Sequence, residues 1–228
     1  MYSFVKANAL GNDFVIFQNV SFDDVARKAT LIADRHRGIG CDQIICINNG
    51  FAKFWNTDGS SAAFCGNGSR CLARYLEPNG EVSFLTDSGQ VTAFIKDRSV
   101  RLRYPSVPKI IQKSEDFYKI SVGNKHIVIF GSKKVEDWKL IMEKYPCDGY
   151  NIMHLCGNWV DCYELGVGPT SSCGSGAMAC TISICDRFNS RRPVTITSKG
   201  GSLLMEIEGD HFYQTGDTQL VFTGEIEL

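Results

Sequence analysis

A chain of 228 residues can hold one large domain or two small ones, and a composition that is 43% hydrophobic and 21% charged is ordinary for a globular protein. With 24 basic and 25 acidic residues the formal net charge is −1, and no basic run of the kind a nucleic-acid groove needs occurs anywhere. The opening MYSFVKANALGNDF lacks the apolar segment of a leader, and no apolar stretch is long enough to span a bilayer. A cytoplasmic protein with neither nucleic-acid nor membrane partners is the expectation.

In chain order, Ser21 to Arg35 reads as an amphipathic helix. Ser21 is the expected cap, Asp24 its capping-box partner, and Phe22, Val25, Ala29, Ile32 and Ala33 form the apolar stripe. Runs rich in Ile, Val and Phe predict strands over Gln43–Ile47, Ala52–Trp55, Glu81–Leu85, Val91–Ile95 and Val100–Tyr104. Pro105 to Ser114 is read as a break rather than an element, because Pro105 and Pro108 interrupt any ladder. Beyond it, Tyr118–Val122 and His126–Phe130 suggest a hairpin across Gly123 and Asn124, followed by a helix over Val135–Tyr145. Further strands are expected at Ile152–Leu155, Trp159–Tyr163, Val194–Thr197, Ser202–Ile207 and Gln219–Ile226. Strands outnumber helices without βαβ alternation, so an α+β class is expected.

The ten cysteines need sorting. Without a leader a disulfide framework is not expected, since the cytosol keeps thiols reduced. No C-x-x-C or zinc-finger spacing occurs, so no metal is expected either. Most cysteines are then small buried hydrophobes. Two stand apart: CGNGSRCLARYL begins at Cys65 and CGSGAMACTISIC at Cys173. Their spacing hints at two related lobes, each contributing one C-G-x-G. In each, glycines permit a tight turn and helix-forming residues follow, Arg70 to Leu76 and Ala177 to Cys185. The second of these helices is apolar on nearly all sides, hence buried.

A cysteine just before a helix N-terminus meets unpaired N–H groups and the positive end of the dipole. Such a place favours thiolate and binds anions, including a carboxylate. Two such ends facing each other would hold a carboxylate and set one sulfur on each face of the adjoining carbon. That arrangement suits racemisation or epimerisation without a cofactor, since no pyridoxal-binding lysine context is visible. The plainer reading makes both cysteines ordinary cap residues, and a single C-G-x-G favours it.

Several further segments together resemble the diaminopimelate epimerase family: ANALGNDFVIF (7–17), RHRGIGCDQ (35–43), NTDGSSAAFCGNGSRC (56–71), VGNKHIVIF (122–130) and YELGVGPTSSCGSGAMAC (163–180). The resemblance implies Cys65 and Cys173 as the catalytic pair. It places Asn12, Gln43, Asn56, Asn124 and Asn151 against an amino-acid substrate, with Gly66, Asn67, Gly174 and Ser175 around its α-carboxylate. His126 and Glu164 fall beside the site. It implies two pseudo-symmetric lobes, 1–107 and 108–216, each a mixed sheet or barrel wrapped around a central helix. The active site would lie in the cleft between them, and the strand 217–228 would return to the first lobe. It also implies interconversion of LL- and meso-diaminopimelate, in lysine and peptidoglycan-precursor biosynthesis. A homodimer is common in families of this kind. The asparagines and His126 can equally serve turns or structure, and Arg35, Arg37 and Asp42 read as local structure.

The chain departs from the family pattern at several positions. Leu165 stands where the family has the arginine that meets the substrate's distal carboxylate, Pro169 where it has glutamate, and Lys125 where it has proline. TGDT (215–218) replaces T-G-P-A. An arginine fork is directional and strong, and leucine supplies neither charge nor donor. Arg70, Arg191, Arg192 or a nearby lysine would have to replace it. The alternatives are therefore a two-cysteine epimerase of another amino acid, or a non-catalytic relative.

Overall fold

The computed structural model describes residues 1–227. Two compact units emerge: Met1–Pro105 with Thr215–Leu228, and Ser106–Gln214.

The first unit begins with a hairpin, β1 (Tyr2–Ala9) and β2 (Asn12–Gln18). It turns at Leu10 and Gly11, which have φ of 57° and 80°, the mirror-image geometry that fits twisted strands. Helix α1 (Phe22–Ala33) leads to β3 (Gln43–Asn48), parallel to β2, and then to β4 (Phe51–Asn56) and the short β5 (Ser61–Ala62), each antiparallel to its predecessor. Helix α2 (Gly66–Leu76) follows, then β6 (Gly80–Thr86), β7 (Gly89–Lys96) and β8 (Ser99–Arg103). β6 touches β4 in parallel at Phe51 and Leu85, and β6 to β8 form an antiparallel meander. The last strand, β18 (Gln219–Ile226), pairs antiparallel with β1. Helix α2 packs against β1, β2, β3, β6, β7, β8 and β18, so the sheet wraps it.

The second unit repeats this order. Strands β9 (Lys109–Lys113), β10 (Phe117–Val122) and β11 (Asn124–Phe130) are antiparallel in turn. Helix α3 (Trp138–Lys144) leads to β12 (Asn151–Cys156), parallel to β11, then β13 (Trp159–Glu164) and β14 (Gly168–Thr170). Helix α4 (Gly174–Arg187) comes next, with β15 (Val194–Ser198) beside β13 in parallel and β16 (Gly201–Glu208) antiparallel to β15. Strand β17 (His211–Asp217) carries the unit boundary. Helix α4 packs against β10, β11, β12, β15 and β16. Position for position, β18 and β1–β8 with α1 and α2 correspond to β9–β17 with α3 and α4.

Covering both sheet faces explains the burial pattern. Val15 and Phe17 of β2 pack into a cluster with Val25, Ala29 and Ile32 of α1. Phe14, one residue away, lies against α2 beside Gly68. In β11, Ile127 and Ile129 pack with Trp138 and Ile141 of α3, while His126 turns toward Ser175 in the first turn of α4. Strands enclosed on both faces read as continuous apolar runs rather than alternations.

Some expectations needed correction. Ser21 is the N-cap of α1, yet its side chain makes no cap bond, so there is no capping box with Asp24. Asp24 instead pairs with Arg27 on the helix surface, and the helix stops at Ala33, not Arg35. The segment read as a break contains β9, which follows Pro108 directly, so no proline N–H is asked to join the ladder. Helix α3 starts at Trp138 rather than Val135, because Asp137 caps it by accepting from the Lys139 N–H. Helices α2 and α4 begin at Gly66 and Gly174, one turn earlier than the helix-forming residues indicated.

Candidate active site

The two C-G-x-G segments fold alike. Cys65 is the N-cap of α2 with φ −140° and ψ 117°, and Cys173 is the N-cap of α4 with φ −134° and ψ 112°. Each sulfur accepts a hydrogen bond from the second glycine: Gly68 N–H to Cys65 Sγ at 3.4 Å, and Gly176 N–H to Cys173 Sγ at 3.3 Å. A thiol side chain thus does what serine or aspartate does at an ordinary cap, and the donated N–H favours negative charge on sulfur. Packing leaves little room for a side chain at the second glycine. A Cβ on Gly68 would come 3.0 Å from Ile45 Cδ1 and 3.1 Å from Phe14 Cε1, and one on Gly176 would overlap Met153 Sδ.

Around these caps the repeated topology brings the sequence-predicted residues to matching places. Asn12 and Asn124 open β2 and β11, Gln43 and Asn151 open β3 and β12, and Asn56 and Glu164 close β4 and β13. Gly66 and Gly174 are the first helical residues, Asn67 and Ser175 the second. Only His126 lacks a polar counterpart: it is the third residue of β11, where β2 has Phe14.

The two clusters differ in charge. Cys65 is half-buried, whereas Cys173 is buried. Burial pushes the Cys173 thiol well above its ordinary pKa, and the charges of Glu164 and Cys162 push the same way. The bonds from Ser175 and Gly176 oppose this without prevailing. At Cys173, desolvation thus outweighs the helix-end effect that favours thiolate. Ser175 Oγ lies 3.1 Å from His126 Nε2, which is 3.9 Å from Cys173 Sγ. His126 is fully buried, and burial lowers its pKa to about 4, so it is a neutral imidazole near pH 7. Glu164 accepts from Thr170 Oγ1 at 2.7 Å. Asn151 is held at both ends of its amide, donating to the Lys125 carbonyl at 3.2 Å and accepting from Leu165 N–H at 2.9 Å. Asn124 is exposed at the start of β11.

In the other cluster Gln43 Nε2 donates to Asn56 Oδ1 at 2.8 Å across the β3–β4 ladder, and Asn56 Nδ2 donates to Ser60 Oγ at 3.0 Å. Asn67 Oδ1 accepts from Arg70 Nη2 at 2.8 Å, and Asn67 Nδ2 reaches Asn12 Oδ1 at 3.5 Å. Asn12 Nδ2 in turn donates to Asp42 Oδ2 at 2.7 Å. Sequence reasoning missed the support behind this chain. Arg35 grips Asp13 through both oxygens at 2.8 and 2.9 Å and also bonds Asp42, while Lys6 pairs with Asp13 at 2.7 Å. Burial raises the Asp13 pKa, but the bonds and charges of Arg35 and Lys6 outweigh it and bring it to about 2. The R-H-x-G-I-G-x-D-Q segment carried the signal, through Arg35 and Asp42.

The three arginines expected to replace the missing one fail on position. Arg70 has no exposed surface, so it cannot meet a ligand's distal carboxylate. Arg191 and Arg192 follow the C-terminus of α4, whose 14 residues put them about 20 Å from the Cys173 end. Leu165 itself is 60% exposed. Among the described residues no cluster of His, Cys, Asp and Glu could hold a metal ion, and no helix is long and apolar enough to cross a membrane.

Twin sheet-wrapped helices, each capped by a cysteine, define a two-unit α+β fold that solved structures share. A hydroxyproline epimerase from Agrobacterium vitis superposes with a TM-score of 0.75 at 14% identity, over 99% of this chain and 90% of that one. A PhzF family protein from Enterococcus faecalis gives 0.72 at 12% identity, over 100% and 99%. The sequence places the chain more closely. The diaminopimelate epimerase family profile matches residues 4–104. The diaminopimelate epimerase of Rickettsia akari is 32% identical over 98% of this chain and 96% of its own, and that of Caldanaerobacter subterraneus 29% identical over 99% of both. The chain belongs to the diaminopimelate epimerase family and is an isomerase of the amino-acid epimerase class.

Proposed function

We propose that this enzyme inverts the α-carbon of an amino acid by two-base proton transfer, Cys65 and Cys173 acting from opposite faces, with diaminopimelate as the substrate. The observation that carries the reading is the duplicated cap: each sulfur accepts an N–H from the residue three places on, at 3.4 and 3.3 Å. One thiolate takes the α-proton while the other thiol gives its proton to the opposite face. No net proton is gained or lost, and the two sulfurs exchange protonation states. The first N–H groups of the helices that follow, those of Gly66 and Asn67 and of Gly174 and Ser175, supply backbone donors for the carboxylate as negative charge develops on it. Burial favours Cys173 as the thiol that begins protonated. Asn12, Gln43, Asn56, Asn67, Asn124, Asn151, Glu164 and Ser175 line the substrate in this reading, and His126 supports Cys173. The chemistry needs no cofactor.

A second reading has the same machinery acting on an amino acid with one carboxylate. It is favoured by the exposed Leu165 and by the positions of Arg70, Arg191 and Arg192, which leave the distal carboxylate without those partners. Incubating the reduced enzyme in D2O with LL- and meso-diaminopimelate, beside a panel of monocarboxylate amino acids, separates the two. Inversion of diaminopimelate supports the first reading. Inversion confined to a monocarboxylate substrate replaces it with the second, and no α-exchange on any substrate removes both.

A further inference from the structure

Arg70 is among the largest fully buried side chains of the molecule, and its surroundings are unusual. Its Nη2 bonds Asn67 Oδ1, but Nε and Nη1 have no hydrogen-bond partner among the described residues. A buried guanidinium with one hydrogen bond is costly to fold. The corresponding place in α4 shows that the fold does not require it: Arg70 stands five residues after Cys65, and Met178 stands five residues after Cys173. The twin helices have also exchanged partners in the adjacent strand, with Phe14 in β2 where β11 has His126. The first turns of the Cys65 helix thus carry a buried cation that acts electrostatically on Cys65, where the Cys173 helix has methionine, and a neutral imidazole lies 3.9 Å from Cys173.

The Arg70–Asn67 bond has a directional consequence. An amide whose oxygen is taken by Arg70 must turn its NH2 outward, and Asn67 Nδ2 is indeed directed to Asn12 Oδ1. At the other end Asp42 takes the Asn12 NH2, leaving the Asn12 carbonyl oxygen as the acceptor. A cation and an anion thus fix two amides in opposite senses, presenting a donor and an acceptor side by side. The charged and titratable groups around Arg70 are Cys71 on its own helix, Tyr104 beyond β8, Asp217 at the end of β17, and Cys65.

We propose that Arg70 is the positioning residue of the Cys65 cluster: its buried charge holds the Asn67 amide in its working orientation and makes Cys65 the cysteine that carries the resting negative charge. The assignment rests on the reading of Cys65 as a catalytic thiol and deepens it, because it supplies the asymmetry that a two-base reaction needs before substrate arrives.

The test is the pH profile of Cys65 alkylation by iodoacetamide in the absence of substrate, with the modified cysteine located by fragment mass. Arg70→Met removes charge and donor while keeping length, and methionine is already accommodated at the matching place in α4. The expected result is a rise of about one pH unit in the midpoint of Cys65 reactivity. Arg70→Lys, which retains the charge, should return most of it. In the inversion assay Arg70→Met should also lose roughly 100-fold in kcat/KM, the scale of a misplaced reacting group. An unchanged alkylation profile in Arg70→Met overturns the proposal; so does a shift that Arg70→Lys reproduces in full. Alkylation needs no substrate, so a parent enzyme that inverts no amino acid would remove the proposed function while leaving the role of Arg70 to be decided by the profile.

Discussion

Ser175 Oγ stands 3.1 Å from His126 Nε2 and 3.6 Å from Cys173 Sγ, so one hydroxyl bridges a buried imidazole and a buried thiol. In the proposed mechanism the bridge gives a thiol pushed toward its neutral form a route for exchanging its proton. Serine orients the thiol, and the neutral ring beneath offers a nitrogen at 3.9 Å. Ser175→Ala is expected to remove about one neutral hydrogen bond, lowering kcat about three- to tenfold with little change in KM. His126→Gln should cost more, because it also leaves Ser175 without its ring partner. Steady-state inversion kinetics check both, and an unaltered kcat in Ser175→Ala would remove the bridge from the mechanism.

Burial of His126 also predicts how stability depends on pH. Its pKa falls from 6.5 to about 4 on folding because the charged ring would be desolvated. Between those values the unfolded chain binds more protons, so stability rises with pH through this window. The contribution is fully present above about pH 6.5 and is lost as pH falls toward 4, about 3 kcal/mol in all. Thermal unfolding at pH 7 and pH 5 should show a lower Tm at pH 5, with the difference reduced in His126→Gln. An equal difference in that variant would assign the acid limb to other groups.

The second glycines of the two caps should differ in tolerance. A Cβ on Gly176 overlaps Met153 Sδ, whereas on Gly68 it makes tight contacts with the mobile end of Ile45 and the Phe14 ring. Gly176→Ala is expected to destabilise by roughly 1–3 kcal/mol, the usual cost of overpacking a filled core, and Gly68→Ala by less. Chemical denaturation gives both values. The reverse order would mean that Met153 moves aside more readily than Ile45 and Phe14.

The cysteine caps were legible because a cysteine before two close glycines and an apolar helix is an uncommon combination, and it occurs twice. The strands that carry the asparagines were harder to read. Val15 and Phe17 meet α1 while Phe14 meets α2, so β2 shows no alternation, and its turn uses Leu10, a residue that does not announce positive φ. Asn12 and Asn67 were legible from motif alone. Their ordering was not, because the bonds that orient them come from Asp42 and Arg70, which looked like a local-structure residue and a candidate ligand for a distal carboxylate. Whether an arginine is buried depends on which turn of α2 faces the sheet, and α2 begins one turn earlier than its helix-forming residues suggest. The burial of the Cys173 thiol was hidden for a related reason: sequence displays the helix end and its dipole but not the depth at which the helix starts.

The most direct measurement of the central claim is inversion coupled to solvent deuterium uptake for the parent, Cys65→Ala and Cys173→Ala, each reduced and shown to be folded. The account predicts inversion with α-deuterium incorporation in the parent and its loss in both variants, since each sulfur serves one face of the carbon. Parental rates of inversion in either single variant would contradict it.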